Sequence, residues 1–228
     1  MTPASPRRIL QLAPWSVHGT GTGGMASVVR DLTGALQARG HQVDILTNDW
    51  RAPKPTRQGG ELRLRVPGPQ ARNSVRSRLT WPIHRERAAR QLRDLCAREG
   101  VDIIHAHYAG PYLATLARAR RLGGPPFLVT CHGGDIHGLG DLPERQRQAV
   151  RAGMSAASHV AAVSDALAAD VERAVGRAGV RTVFNGFKAP WHEVPARSDV
   201  EAVIGRPLPH KYAVMVGNMR PCKGHATA

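Results

Sequence analysis

"RRILQLAPWSVHGTGTGGMASVVRDLTGALQARGHQVDILT", Arg7 to Thr47, decides the fold. Its opening "RRILQLA" reads as a short buried strand. After a glycine-rich turn, Met25, Val28, Val29, Leu32 and Leu36 recur at i, i+3, i+4, i+7 and i+11, the spacing of one helix face. Gly40 stops that helix and "HQVDILT" follows as a second strand. Strand, glycine loop, helix, glycine and strand make one βαβ unit, and such units build parallel sheets.

Outward from this unit the alternation continues. A helix is expected around Leu79 to Arg98, then strand "VDIIHAH", a helix over Leu113 to Arg121, strand "FLVTC" and a helix after Pro143. Strand "HVAAVS", helix Asp165 to Val175 and strand "VRTVF" complete the series. The pattern implies an α/β fold, a Rossmann-like doubly wound parallel sheet whose ligands lie beyond the carboxyl ends of the strands. Residues 51 to 78, rich in Arg, Pro and Gly, show the weakest pattern and are read as a strand or two with a loop. "FKAPWHEVPAR" reads as a linker, and "SDVE", Ser198 to Glu201, as a capping box opening a short helix that ends at Gly205. The domain expectation is therefore 1–187 for the sheet domain, 188–210 for linker and helix, and 211–228 for the first strand and turn of a second domain.

The 228 residues include 42% hydrophobic ones, enough for a packed core. The opening residues hold no apolar run like that of a signal peptide, and no window approaches the ~20 apolar residues of a membrane span. Three cysteines, Cys96, Cys131 and Cys222, form no metal-ligand spacing and suit a reducing compartment, so a cytoplasmic location is expected. Thirty-two Lys and Arg against 17 Asp and Glu give a formal charge of +15. Only Lys54, Lys188, Lys211 and Lys223 are lysines. That bias has two readings, codon usage or an anion-seeking surface. Nucleic acid is not an expected partner, because aromatic residues are few and no recognition motif is present.

Four stretches carry site-like chemistry. "HGTGTGG", His18 to Gly24, places glycines before a helix N-terminus, where unpaired N–H groups suit a phosphate. It also spells G-x-G-x-x-G at Gly19, Gly21 and Gly24, a dinucleotide pattern with Asp49 as ribose partner, although its loop is longer than that turn requires. "VDIIHAHY" puts His105 and His107 on the same side of a strand, with His107 and Tyr108 at its carboxyl end. A structural or substrate-contacting role is favoured there over metal, since no third ligand follows at suitable spacing. "TCHGGDIHG" runs a strand into His132, two glycines and Asp135, either a site or a polar turn. "VGNMRPCKG" offers Arg220 and Lys223 to a diphosphate after a glycine turn.

Taken in order, "GTGGMASVVRDLTGALQARGHQVDILT", "VDIIHAHY", "TCHGGDIHG", "AAVSDALAADV", "TVFNGF" and "VGNMRPCKGH" resemble the landmarks of a family 4 glycosyltransferase with the GT-B fold. The resemblance implies two Rossmann-like domains, the N-terminal one binding the acceptor and the C-terminal one a nucleotide sugar. It matches Gly23 and Gly24 to the loop approaching the donor diphosphate, and His132, with Asp135 beside it, to the histidine at the transferred sugar. It matches Lys223 to the cation at the leaving diphosphate, with Arg220 a donor-side candidate from its own turn, and leaves His107 and Tyr108 as acceptor-side candidates. Asn218 stands where the family often carries Arg. The implied reaction is retaining, metal-independent transfer to a hydroxyl, with no cofactor beyond the nucleotide-sugar co-substrate.

On this reading the chain would break off early in the second domain and be weakly active unless a separate C-terminal half is supplied. The Arg-rich region between Arg57 and Arg98 would either be a plain solvated surface or meet acceptor and membrane at the inner face. A non-catalytic nucleotide-binding module and an NAD(P)-binding domain remain the alternatives.

Overall fold

In the computed structural model, residues 5–18, 23–71, 74–186 and 195–212 are described. The chain divides into two units, Met1–Gly186 and Phe187–Ala228.

The first unit is organised by β1 (Arg8–Ala13), the "ILQLA" run. It pairs in parallel with β2 (Gln42–Asn48) on one side and with β5 (Ile103–His107) on the other. Between β1 and β2 lies α1 (Gly24–Ala38), which buries Met25 and Val29 of the expected face together with Ala26 and leaves Val28, Leu32 and Leu36 half-buried. The stretch with the weakest sequence pattern contains β3 (Thr56–Gln58) and β4 (Glu61–Leu64). These two form a hairpin whose turn residues Gly59 and Gly60 take φ of +58° and +79°, the left-handed values a two-residue turn of this kind demands.

From β5 outward the sheet adds β6 (Phe127–Cys131), β7 (His159–Ala162) and β8 (Arg181–Thr182), giving the order β3-β4-β2-β1-β5-β6-β7-β8. Every pairing is parallel except that of β3 with β4. Strand order therefore reverses between β1 and β5, and the crevice beyond their carboxyl ends is the topological switch point.

The connecting helices are α2 (Val75–Glu99), α3 (Leu113–Arg121), α4 (Gly134–His137), α5 (Glu144–Ala156) and α6 (Asp165–Val175). The larger core joins Leu10, Leu12, Leu92, Leu113, Phe127 and Met154, uniting sheet, α2, α3 and α5. A smaller one, Ala13, Val17, Met25, Ala26, Val29 and Ile45, lies against α1. Helix α2 starts four residues before the expected Leu79, capped by Ser74, whose hydroxyl accepts the Ser77 N–H. Strand β7 ends at Ala162, because Ser164 leaves the sheet to cap α6 through the Leu167 N–H.

In the second unit the one described element is α7 (Arg197–Ile204), followed by Gly205 at φ +74°. The expected capping box is shifted: Ser198 lies inside the first turn, and the Asp199 carboxylate instead accepts the backbone N–H of Ala196. The expected strand from Tyr212 to Val216, and Arg220 and Lys223, fall outside the described residues, apart from Tyr212 itself.

Close packing of α5 on α3 rests on Gly153, where a Cβ would fall 2.3 Å from that of Leu113 and 2.8 Å from the Leu113 carbonyl carbon. Gly153→Ala is expected to cost about 1–3 kcal/mol in denaturant unfolding. Gly34→Ala in α1, where an added Cβ meets nothing within 4 Å, is expected to stabilise by about 0.5–1 kcal/mol.

Candidate functional site

The sheet register brings a polar row to the switch point. Gln11 on β1 is level with His105 on β5, and His107 is level with Thr130 on β6. All lie on the α1 side of the sheet, since alternate residues of a strand share a face. His107 is 1% exposed and Gln11 fully buried. The His107 Nε2 lies 2.7 Å from the Gln11 Oε1, and its Nδ1 lies 3.3 Å from the His132 Nε2. The Gln11 amide nitrogen donates to the Thr33 hydroxyl oxygen of α1 at 2.8 Å, and that hydroxyl donates to the Val29 carbonyl at 2.7 Å. His105 lies 2.8 Å from the Thr130 hydroxyl and stacks on His107 with ring centroids 4.0 Å apart.

Asp135 sets the turn after β6. Its buried carboxylate accepts the backbone N–H groups of Ala109 at 2.7 Å, His132 at 3.0 Å and Gly133 at 2.8 Å. One side chain thus ties the loop after β5 to the loop after β6. Gly133 takes φ +107°, a conformation closed to side-chain-bearing residues, which turns the chain from strand into α4. Tyr108 adopts φ +71°, costly for a bulky residue, and donates its N–H to the Thr130 carbonyl. The Tyr112 hydroxyl bonds the carbonyls of His107 and Tyr108 and so braces that strained turn. The Tyr108 ring meets Trp15 edge-on at 5.3 Å between centroids.

The loop after β1 is held by a residue the sequence did not single out. Glu61, 1% exposed, accepts from Ser16 at 3.2 Å, the Val17 N–H at 3.0 Å and the Thr47 hydroxyl at 2.6 Å. Arg30 donates to the Val17 carbonyl from α1. This clamp fixes the chain just before the glycines. Gly23 is the N-cap of α1 with no side-chain cap, no acidic residue occupies the first turn, and a Cβ on Gly24 would meet open space. The helix end thus presents the N–H groups of its first turn, without a side-chain cap among the described residues, and partial positive charge. Gly19 and Gly21 fall outside the described residues.

Electrostatics keep the histidines neutral. Burial drives His105 down to about 3, with His132 adding to the effect. Burial, then the neighbouring His105 and His132, hold His107 well below the ordinary imidazole value. His132 is lowered by burial against the opposing pull of Asp135. Asp135 is raised by burial, which outweighs the N–H groups that favour its charge. Cys96 is pushed up to about 12 by burial, and Cys131 is raised for the same reason, so neither thiol is a nucleophile.

The structure unites His107, Tyr108, His132 and Asp135, while Gly23 and Gly24 stand at the first turn of α1. His107, expected on the acceptor side, is buried with both ring nitrogens engaged, so it supports His132 and does not line an open wall. Asp49, the ribose partner of the dinucleotide reading, is occupied: Arg63 lies 3.4 Å away and the Arg51 N–H donates at 2.9 Å. Among the described residues no three His, Cys, Asp or Glu side chains are grouped to hold a metal ion. Gln11, Thr33 and Glu61 were missed; the signal for Gln11 was a single polar residue inside "ILQLA".

The family model of Glycosyltransferase Family 4 matches residues 22–189. The chain belongs to Glycosyltransferase Family 4. A curated relative, N-acetyl-alpha-D-glucosaminyl L-malate synthase of Bacillus anthracis, is 27% identical over 209 residues, covering 88% of this chain and 52% of the relative. Among solved structures, sucrose-phosphate synthase from Thermosynechococcus elongatus superposes with a TM-score of 0.60 at 19% identity, over 88% of this chain and 53% of that one. This likeness is one of fold, the Rossmann-like half of GT-B proteins. The chain spans about half the length of these relatives.

Neutral buried histidines link stability to pH. The unfolded chain binds protons below about 6.5, whereas folded His105 resists protonation to about 3. Stability is therefore present above about 6.5 and is lost as pH falls through this window, by up to ~1.4 kcal/mol per pH unit for each neutral histidine. Urea unfolding across that range should show the slope, and His107→Gln should make it shallower. An unchanged slope in the variant would contradict the burial of a neutral His107.

Proposed function

We propose that this chain supplies the acceptor-side half of a glycosyltransferase that moves a sugar from a nucleotide-sugar donor to a hydroxyl acceptor. The observation that carries the reading is the His132–Asp135 turn at the switch point of a family 4 domain. His132 stands at the carboxyl end of β6, where a ligand in this architecture reaches it. Asp135 holds the turn by accepting three backbone N–H groups, so the imidazole is placed before substrate arrives.

The α1 N-terminus completes the half-site. Gly23 and Gly24 let a diphosphate approach backbone N–H groups, whose partial positive charge stabilises the leaving group. Lys223 is assigned to that same diphosphate by the family resemblance, and Arg220 by its place in the glycine turn of "VGNMRPCKG". The chemistry is retaining and metal-independent: the bond from the anomeric carbon to the diphosphate oxygen breaks as the acceptor oxygen bonds the same face. The acceptor's proton leaves with the diphosphate. A C-terminal half, in the same or a separate chain, supplies the donor domain, and the work is done in cytoplasmic glycan, glycolipid or envelope synthesis.

Transfer from labelled nucleotide sugars should be assayed with this chain alone and with a family 4 donor domain added in trans. His132→Ala is expected to lower transfer by about 10²-fold or more. Gly24→Ala should change stability by less than about 0.5 kcal/mol, because an added Cβ meets nothing within 4 Å among the described residues, while weakening donor binding at least about tenfold. Wild-type rates in both variants would overturn the reading.

The first turns of α2 favour a peripheral contact with an anionic membrane. Val75, Leu79 and Ile83, spaced i, i+4 and i+8, are 74%, 69% and 67% exposed. Exposed Arg76, Arg78 and Arg87 flank them. Among the described residues no helix is long and apolar enough to cross a membrane. An apolar stripe edged by arginine suits the interface instead, each cation near anionic lipid contributing about 1 kcal/mol. Co-sedimentation with phosphatidylserine vesicles should fall at least about tenfold in a Val75→Ser, Leu79→Ser, Ile83→Ser variant, and equal binding would remove the membrane contact.

A further inference from the structure

We propose that a hydrogen-bond chain running from the Val29 carbonyl through Thr33, Gln11 and His107 dictates which ring nitrogen of His132 carries its proton. Gln11, Thr33 and His107 are thereby positioning residues for the histidine at the end of β6.

The chain of bonds starts from a group whose role is fixed. A carbonyl oxygen can only accept, so the Thr33 hydroxyl, 2.7 Å from the Val29 carbonyl, spends its one proton there. The Thr33 oxygen is then an acceptor, and the Gln11 atom 2.8 Å away must be the amide nitrogen. This orients the Gln11 side chain without reference to which end looks like oxygen. The Gln11 carbonyl oxygen consequently faces the His107 Nε2 at 2.7 Å and requires a proton on it. A neutral imidazole has one proton, so the His107 Nδ1 is left with a lone pair. The His132 Nε2, 3.3 Å from that lone pair, must be an N–H donor. In its neutral form His132 therefore presents an unprotonated Nδ1, an acceptor for a hydroxyl and a poor partner for a bare phosphate oxygen.

The central link is set by burial. Gln11 is 0% and His107 1% exposed, so at their contact no water competes and a mispaired donor would cost the full desolvation of that group, while Thr33 and His132 at the two ends are half-buried. His105 does not disturb the chain, because its Nε2 is engaged 2.8 Å from the Thr130 hydroxyl.

That His132 touches substrate rests on the family 4 reading above; the proton assignment does not. The test is the ring-nitrogen NMR spectrum of the ¹⁵N-histidine-labelled chain at a pH above the ordinary imidazole value of about 6.5. Both His107 and His132 are expected as Nε2–H tautomers, with Nδ1 in the unprotonated region. Thr33→Ser should keep this pattern and Thr33→Val should lose it, as Gln11 becomes free to turn over. Gln11→Glu should draw a second proton to His107, so that its Nδ1 becomes a donor and His132 shifts to the Nδ1–H form. Observation of His132 as Nδ1–H in the wild-type chain, or an unchanged spectrum in Thr33→Val, overturns the proposal. If Gln11→Glu does not fold, the wild-type spectrum and the two Thr33 variants still decide. Expected tautomers without any sugar transfer would reject the function alone, and reversed tautomers with transfer that depends on His132 would reject the relay alone.

Discussion

The Asp135 carboxylate is the constraint on which the site depends. Three backbone N–H groups from two loops converge on it, one from Ala109 after β5 and two from His132 and Gly133 after β6. A carboxylate in a protein interior is costly unless its lone pairs are filled, and here the turn fills them. The same bonds that make the charge tolerable fix the two loops at the switch point, so stability and site geometry are one interaction. The left-handed backbone at Tyr108 and Gly133 follows from the tightness of the turns that bring these N–H groups together.

Around that anchor the first unit assembles two further supports, each a buried polar side chain where a plain core would carry an apolar one. Glu61 clamps the loop that precedes the glycines, and Gln11 backs the histidine pair. Such groups are expensive singly and stable only when fully bonded, which makes each a device for setting one geometry. The loop after β1 and the histidine at the end of β6 therefore stand on buried polar supports.

Much of the fold was legible because period and punctuation agree in this sequence. "ILQLA", "VDIIHAH" and "FLVTC" are apolar runs with Gly or Pro close to their ends, and α1 between the first two strands carries a 3.6-residue pattern that the later helices repeat less cleanly. The hairpin of β3 and β4 is legible only as a strand or two with a loop, since β3 has three residues, none apolar, and β4 only four. Of the candidate site, His132, Asp135, His107 and Tyr108 were legible from their position after strands. The roles of Gln11, Thr33 and Glu61 were not, because they depend on register between strands 14 to 96 residues apart, which no local pattern encodes. His107 illustrates the limit: strand position put it at the carboxyl end, but only packing shows that it is enclosed.

The most direct measurement of the central claim is a titration of the ¹⁵N-labelled chain with nucleotide sugars, followed through backbone amide shifts. Perturbations are expected to concentrate on Gly23, Gly24, Met25, His132 and Gly133, the α1 N-terminus and the Asp135-held turn. Shifts gathered instead in the cleft between Asp49 and Arg63, with those five amides unmoved, would contradict it.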